Sequence, residues 1–254
     1  MTDYTKLDAY PQLNLIKGSG SSYEQGFCVM QAVAWFAGEK HTDAPQCACP
    51  TLGAYAIRLN DLLPHSKRQI LRTLIAPLTS TRSPEHQMPR AMYIVHRNAR
   101  EIVAPLFDTK WPEHAAAIRK AETIIEIRDA MRAARDAASA SAYASASAYA
   151  YASASAYADA YTYADAYTYA GKQKVEDDRP KAYASASAYA STYADAYTYT
   201  YASTPAEKNR VQDIMIDILR GAIALGPNGG EDLSPFAERI HELCSRGYAE
   251  PVPA

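Results

Sequence analysis

Four residues near the start of the 254-residue chain are of the types that bind a metal or arm a nucleophile: Cys28, His41, Cys47 and Cys49. They stand as C-x12-H-x5-C-x-C, a ligand set that tetrahedral zinc accepts. The spacing is not that of a standard zinc finger or knuckle, and small buried thiols in a reduced protein give the same pattern. Cys28 also follows Gly26-Phe27 near an expected helix start, where the dipole lowers a thiol pKa and can arm a nucleophile. A thiol enzyme would need a histidine base. His86, His96 and His114 lie downstream, but no local motif ties any of them to Cys28. The sequence holds no phosphate-cradling glycine loop, no H-E-x-x-H pair and no serine nucleophile elbow. Core cysteines are the expectation, with zinc the one cofactor left open.

The elements that would position these residues read as helices. From Glu24 to Gly38, Phe27, Met30, Val33, Ala34 and Ala37 recur at helical steps. Pro50 suits the first turn of a second helix, to about Leu63, striped by Leu52, Tyr55, Ala56, Leu59 and Leu62. Ser66 can cap a third, with Ile70, Leu71, Leu74, Ile75 and Leu78 inward and Pro77 near its end. Ser83-Pro84 opens a fourth, with Pro89 and Pro105 bracketing its useful length. Trp111-Pro112 opens a fifth, with Ala117, Ile118, Ala121, Ile124, Ile125 and Met131 inward. After Pro205 comes an amphipathic helix through Val211, Ile214, Met215, Ile218 and Leu219. A last helix is expected after Ser234-Pro235. The reading is an all-α protein: a loosely held arm over residues 1–25, an antiparallel helical bundle over 26–136, a repeat region over 137–203, and C-terminal helices with a tail over 204–254.

The repeat region dominates the composition. Its two tracts alternate Ala with Ser, Tyr, Asp or Thr, and the block at 142–150 returns unchanged at 182–190. They hold 14 of the 20 tyrosines. Strict alternation is the signature of a half-buried strand, but about thirty residues without a turn far exceed the usual 5 to 6. Alanine at every second position favours helix, and serine and tyrosine cost only about 0.5 kcal/mol each relative to it. A helical hairpin turning at 171–181 is therefore expected, with a β-hairpin or β-solenoid as the alternative. Tyr143, Tyr149, Tyr157, Tyr161, Tyr163, Tyr167, Tyr169, Tyr183, Tyr189, Tyr193, Tyr197 and Tyr199 form its interaction surface.

Charge narrows the partners. Lys and Arg number 26 against 28 Asp and Glu, which gives a net charge of -2 and no global field for nucleic acid. The tyrosines could stack bases, but the first tract has no Lys or Arg and carries Asp159 and Asp165. No stretch approaches the roughly 20 apolar residues that span a bilayer, and no signal-peptide core opens the chain. Four cysteines suit a reducing compartment, so a cytoplasmic protein is expected.

The run Cys28-Val29-Met30-Gln31-Ala32-Val33-Ala34-Trp35-Phe36-Ala37-Gly38-Glu39, followed by Cys47-Ala48-Cys49-Pro50 and Leu59-Asn60-Asp61, resembles the start of an uncharacterised group of proteins from bacteria and their phages. The resemblance covers residues 23 to 225, and only the first motifs are specific. It implies a phage or prophage context in a bacterial host cell, a helical body with an Ala-rich repetitive centre, and no known activity. The expected function is a non-catalytic interaction or scaffold protein that presents the repeat to a protein partner or to another copy of itself. The alternatives are a metal-binding or thiol-dependent enzyme centred on Cys28, and a β-structured self-assembling or water-ordering surface.

Overall fold

A computed structural model describes residues 13–18, 20, 26–139 and 204–226. Helix accounts for 72% of its interpretable part and there is no strand among the described residues, so the fold is all-α. Beyond residue 139, the repeat tracts with their twelve interaction-surface tyrosines, the turn at 171–181 and the helix expected after Ser234 lie outside the described residues. The chain divides into two compact units, one holding the described residues up to Ser83 together with Gly226, the other Pro84–Leu225. The cut between Ser83 and Pro84 falls inside the helical region expected over 26–136.

The first unit is built around α1 (Val29–Phe36), which is buried on nearly every side: Val29 through Ala34 and Phe36 are all in the core. A helix apolar all round belongs inside a unit rather than on its surface, which a one-faced reading of this segment missed. Helix α2 (Pro50–Leu62) starts on its first-turn proline and buries Leu52, Tyr55, Ala56 and Leu59. The third expected helix is broken into α3 (His65–Arg68), a 3-10 segment (Gln69–Leu74) and α4 (Ile75–Leu78). Leu71, Leu74, Ile75 and Leu78 go inside as the rhythm indicates, but Ile70 stays 38% exposed while Arg68 and Gln69 are buried.

In the second unit, α5 (Pro84–Asn98) contains Pro89 rather than stopping at it. It runs into a π turn (Ala99–Val103) and a 3-10 turn (Ala104–Phe107). Pro105 has no N–H and its ring cannot sit over the carbonyl four residues back, so the ladder changes pitch there. The expected fifth helix is two: α6 (Pro112–Lys120) and α7 (Ile124–Ser139). The break is written in side chains. Thr123 Oγ1 accepts from the Glu126 amide at 3.1 Å while a Glu126 carboxylate oxygen takes the Thr123 amide at 3.1 Å, a capping box that starts a new helix. Ile127, Met131, Ala134 and Ala138 then face the core with Phe107, Ala115 and Ile118, and Ile125, expected inward, is 60% exposed.

Helix α8 (Pro205–Ala224) opens with its own capping box between Thr204 and Glu207. It runs antiparallel to α5. A Cβ on Gly221 would lie 2.6 Å from Tyr93 Cζ and overlap its hydroxyl, so the glycine leaves room for the end of the Tyr93 ring against α8. One turn further, the fully buried Arg90 donates from Nε to the Leu225 carbonyl at 2.9 Å and closes the end of α8.

Candidate functional site

Each residue singled out for chemistry in the first unit is tied into local hydrogen bonding. Cys28 is the N-cap of α1: its sulfur accepts from the Gln31 amide at 3.4 Å, and Gln31 Oε1 accepts from the Cys28 amide at 3.0 Å. Burial pushes the Cys28 thiol up, against the opposing effect of the Gln31 and Met30 amides. Position at a helix N-terminus, the feature that suggested an armed nucleophile, is here outweighed by desolvation. Cys47 is pushed up to about 12, first by burial and then by its hydrogen bond to, and the charge of, Glu39. Glu39 is itself held below the usual carboxylate range. Its partial burial works the other way, but the Gln46 and Cys47 amides, both donating at 2.7 Å, and the Arg82 charge prevail. Cys49 is buried as the N-cap of α2, its amide donating to Thr81 Oγ1 at 2.9 Å.

His41 sets Nε2 2.9 Å from both Gln31 Nε2 and the Gly20 carbonyl. Among the described residues no group of three or more His, Cys, Asp or Glu side chains could hold a metal ion, so the Cys28, His41, Cys47 and Cys49 set is not gathered into one site. Local bonding gives the reason, since Cys28 serves its own helix start, Cys47 serves Glu39, and His41 serves the Gln31–Gly20 pair. His86, His96 and His114, the bases considered for Cys28, lie in the second unit, on α5 and α6. Burial, then the Arg100 charge, pulls the His96 imidazole down.

What these residues build together is a clamp on an extended segment. Residues 13–18 and Gly20, expected as part of a loose arm, are tied down, with Leu13 and Leu15 in the core. Ile16 donates to the Phe27 carbonyl at 2.8 Å and Phe27 to the Asn14 carbonyl at 3.2 Å, an isolated parallel bridge. On the other edge Gln69 behaves as a strand would: Oε1 accepts from the Leu15 amide at 3.0 Å and Nε2 donates to the Leu15 carbonyl at 2.7 Å. Asn60, fully buried on α2, donates to the Ile16 carbonyl at 2.8 Å and accepts from the Val29 amide at 3.2 Å. Asp61 accepts from Gly18 at 2.9 Å. Gln31 repeats the two-sided grip on Gly20, at 3.2 and 3.1 Å. Gly20 fits this grip because a Cβ there would fall on the Gly26 carbonyl oxygen.

Sequence reading assigns Gln31, Asn60 and Gln69 no role: Gln31 and Asn60 stand only as members of the resemblance motifs, and Gln69 stands in none. Gln31 also stands three residues after the cap of α1, in the capping-box spacing. Compared with known protein families, with curated proteins and with solved structures, the chain matches none of them.

Proposed function

We propose that the protein is a non-catalytic interaction or scaffold protein, an accessory factor of phage or prophage origin acting in the bacterial cytoplasm. One observation carries this reading. Among the side chains best suited to chemistry, Cys28 and Glu39 are committed to backbone amides, the Cys47 thiol is committed to Glu39, and both thiols are pushed toward the inert protonated form. Tyrosine in the repeat supplies amphipathic contact area at modest entropic cost, which suits a surface offered to another protein or to a second copy. No helix among the described residues is long and apolar enough to cross a membrane.

The test has two arms on the full-length chain. Sedimentation velocity should show concentration-dependent association, lost when the twelve tyrosines from Tyr143 to Tyr199 named above are changed to serine. Alkylation of Cys28 should rise steadily with pH through the neutral range. A Cys28 rate that levels off near neutral pH, as a stabilised thiolate requires, would replace this reading with thiol chemistry.

A further inference from the structure

The clamp recognises its occupant almost wholly through main-chain atoms. Phe27 meets one edge of the segment through its own backbone, Asn60 takes the Ile16 carbonyl on that same edge, and Gln69 meets the other edge through a side-chain amide. Such bonds ask only that the occupant be extended, because every residue but proline offers the same N–H and C=O. Selectivity comes from the alternation over residues 13–15: Leu13 and Leu15 are buried, whereas Asn14 between them is exposed. A strand added to an edge is recognised in this way, with ladder bonds for grip and alternate pockets for identity.

Resting on the reading of this protein as an interaction module, we propose that the channel lined by Phe27, Asn60 and Gln69 is a binding site for an extended peptide segment, and that its partner in trans is the same segment, residues 13–18, of a second copy of this chain. Two features favour a second copy. The segment seated in the channel is already complementary to it, so each copy carries one site and one ligand, the condition for exchanging an identical element between protomers. Gly18, with φ of 72° and open space around its Cα, is a point at which the segment can be redirected without steric cost.

The test uses the full-length chain and a fluorescent peptide of residues 11–20. In the unaltered chain the tethered segment competes at high effective concentration, so the peptide should bind at least about tenfold more tightly to the Leu13→Asp, Leu15→Asp variant. Binding should vanish when Gln69→Ala is added, or when the peptide itself carries Leu15→Asp. A double variant with unchanged helical circular dichroism that ignores the peptide overturns the proposal. So does equal binding of a scrambled peptide, or markedly tighter binding of an unrelated peptide with leucines two apart, which would make the partner a foreign protein.

A second measurement does not depend on the folding of that variant. A photo-crosslinking residue at the exposed Asn14 of the otherwise unaltered chain should give a dimer band that excess peptide suppresses. Crosslinks only within one chain, at every protein concentration, overturn the proposal. If the sedimentation and Cys28 results still hold, the interaction reading survives that failure. A Cys28 thiolate plateau would instead remove the reading itself.

Discussion

The two units solve the same problem with different materials. In the second, helices bury apolar faces against one another: Val95, Ile118, Ile127 and Met131 share one core across α5 to α7, and Gly221 makes room for Tyr93 against α8. In the first, a short helix buried all round leaves little amphipathic surface for neighbours, and buried amides from Gln31, Asn60 and Gln69 hold an extended segment beside it. Apolar packing tolerates loss piece by piece. A buried amide that serves two main-chain groups does not, because removing it strands both.

The largest expected effect follows from that contrast. Asn60→Ala leaves the Val29 amide and the Ile16 carbonyl without the bonds Asn60 supplies, at about 1–3 kcal/mol for each buried group, so a loss of roughly 2–6 kcal/mol is expected in urea denaturation. A change under about 0.5 kcal/mol would mean that water replaces the amide and that the polar account of the first unit is wrong.

Next comes the contact between Gly221 and Tyr93 in the second unit. Gly221→Ala forces Tyr93 and its hydrogen bond with Arg97 aside, with an expected cost of about 1–3 kcal/mol in thermal unfolding. Adding Tyr93→Phe should restore part of it by removing the overlapping hydroxyl. Identical melting of the single and double variants would place the strain elsewhere.

Thr204→Ala removes the capping box of α8 and should cost about 1 kcal/mol, largely recovered by Thr204→Ser. The smallest effect is a pH dependence. Glu39 has a lowered folded pKa, so the stability it adds is present above the usual glutamate value and fades as pH falls through and below it. Wild type should exceed Glu39→Gln by about 1 kcal/mol or less near pH 7, since Glu39 is only partly buried, and the gap should close below about pH 4. A gap that widens toward acid would contradict the sign.

Much of the helical framework is legible in the sequence. Pro50, Pro84, Pro112 and Pro205 each stand at a helix start, and the three- and four-residue rhythm identifies Leu52, Leu59, Leu71, Ile118 and Leu219 as core. Breaks were harder to read. Thr123 and Glu126 compete with a continuous apolar rhythm from Ile118 to Met131, and the local cap prevails. The clamp was illegible for a different reason. Gln69 lies 54 residues from Leu15, and Asn60 lies 44 from Ile16, so neither grip leaves a local pattern. Polar residues near the start suggested a loose arm because their partners are distant in sequence. The reverse holds for Cys28, His41, Cys47 and Cys49, which sit close along the chain while each answers to a different neighbour.

Amide hydrogen exchange at Leu15, Ile16, Gly18 and Gly20 tests the clamp most directly. These four amides, each bonded to Gln69, Phe27, Asp61 or Gln31, should exchange on the order of a hundredfold or more slowly than free peptide, and Gln69→Ala should release Leu15 first. Exchange at the free-peptide rate in the unaltered protein would show that nothing grips the segment, and the account of the first unit would fall with it.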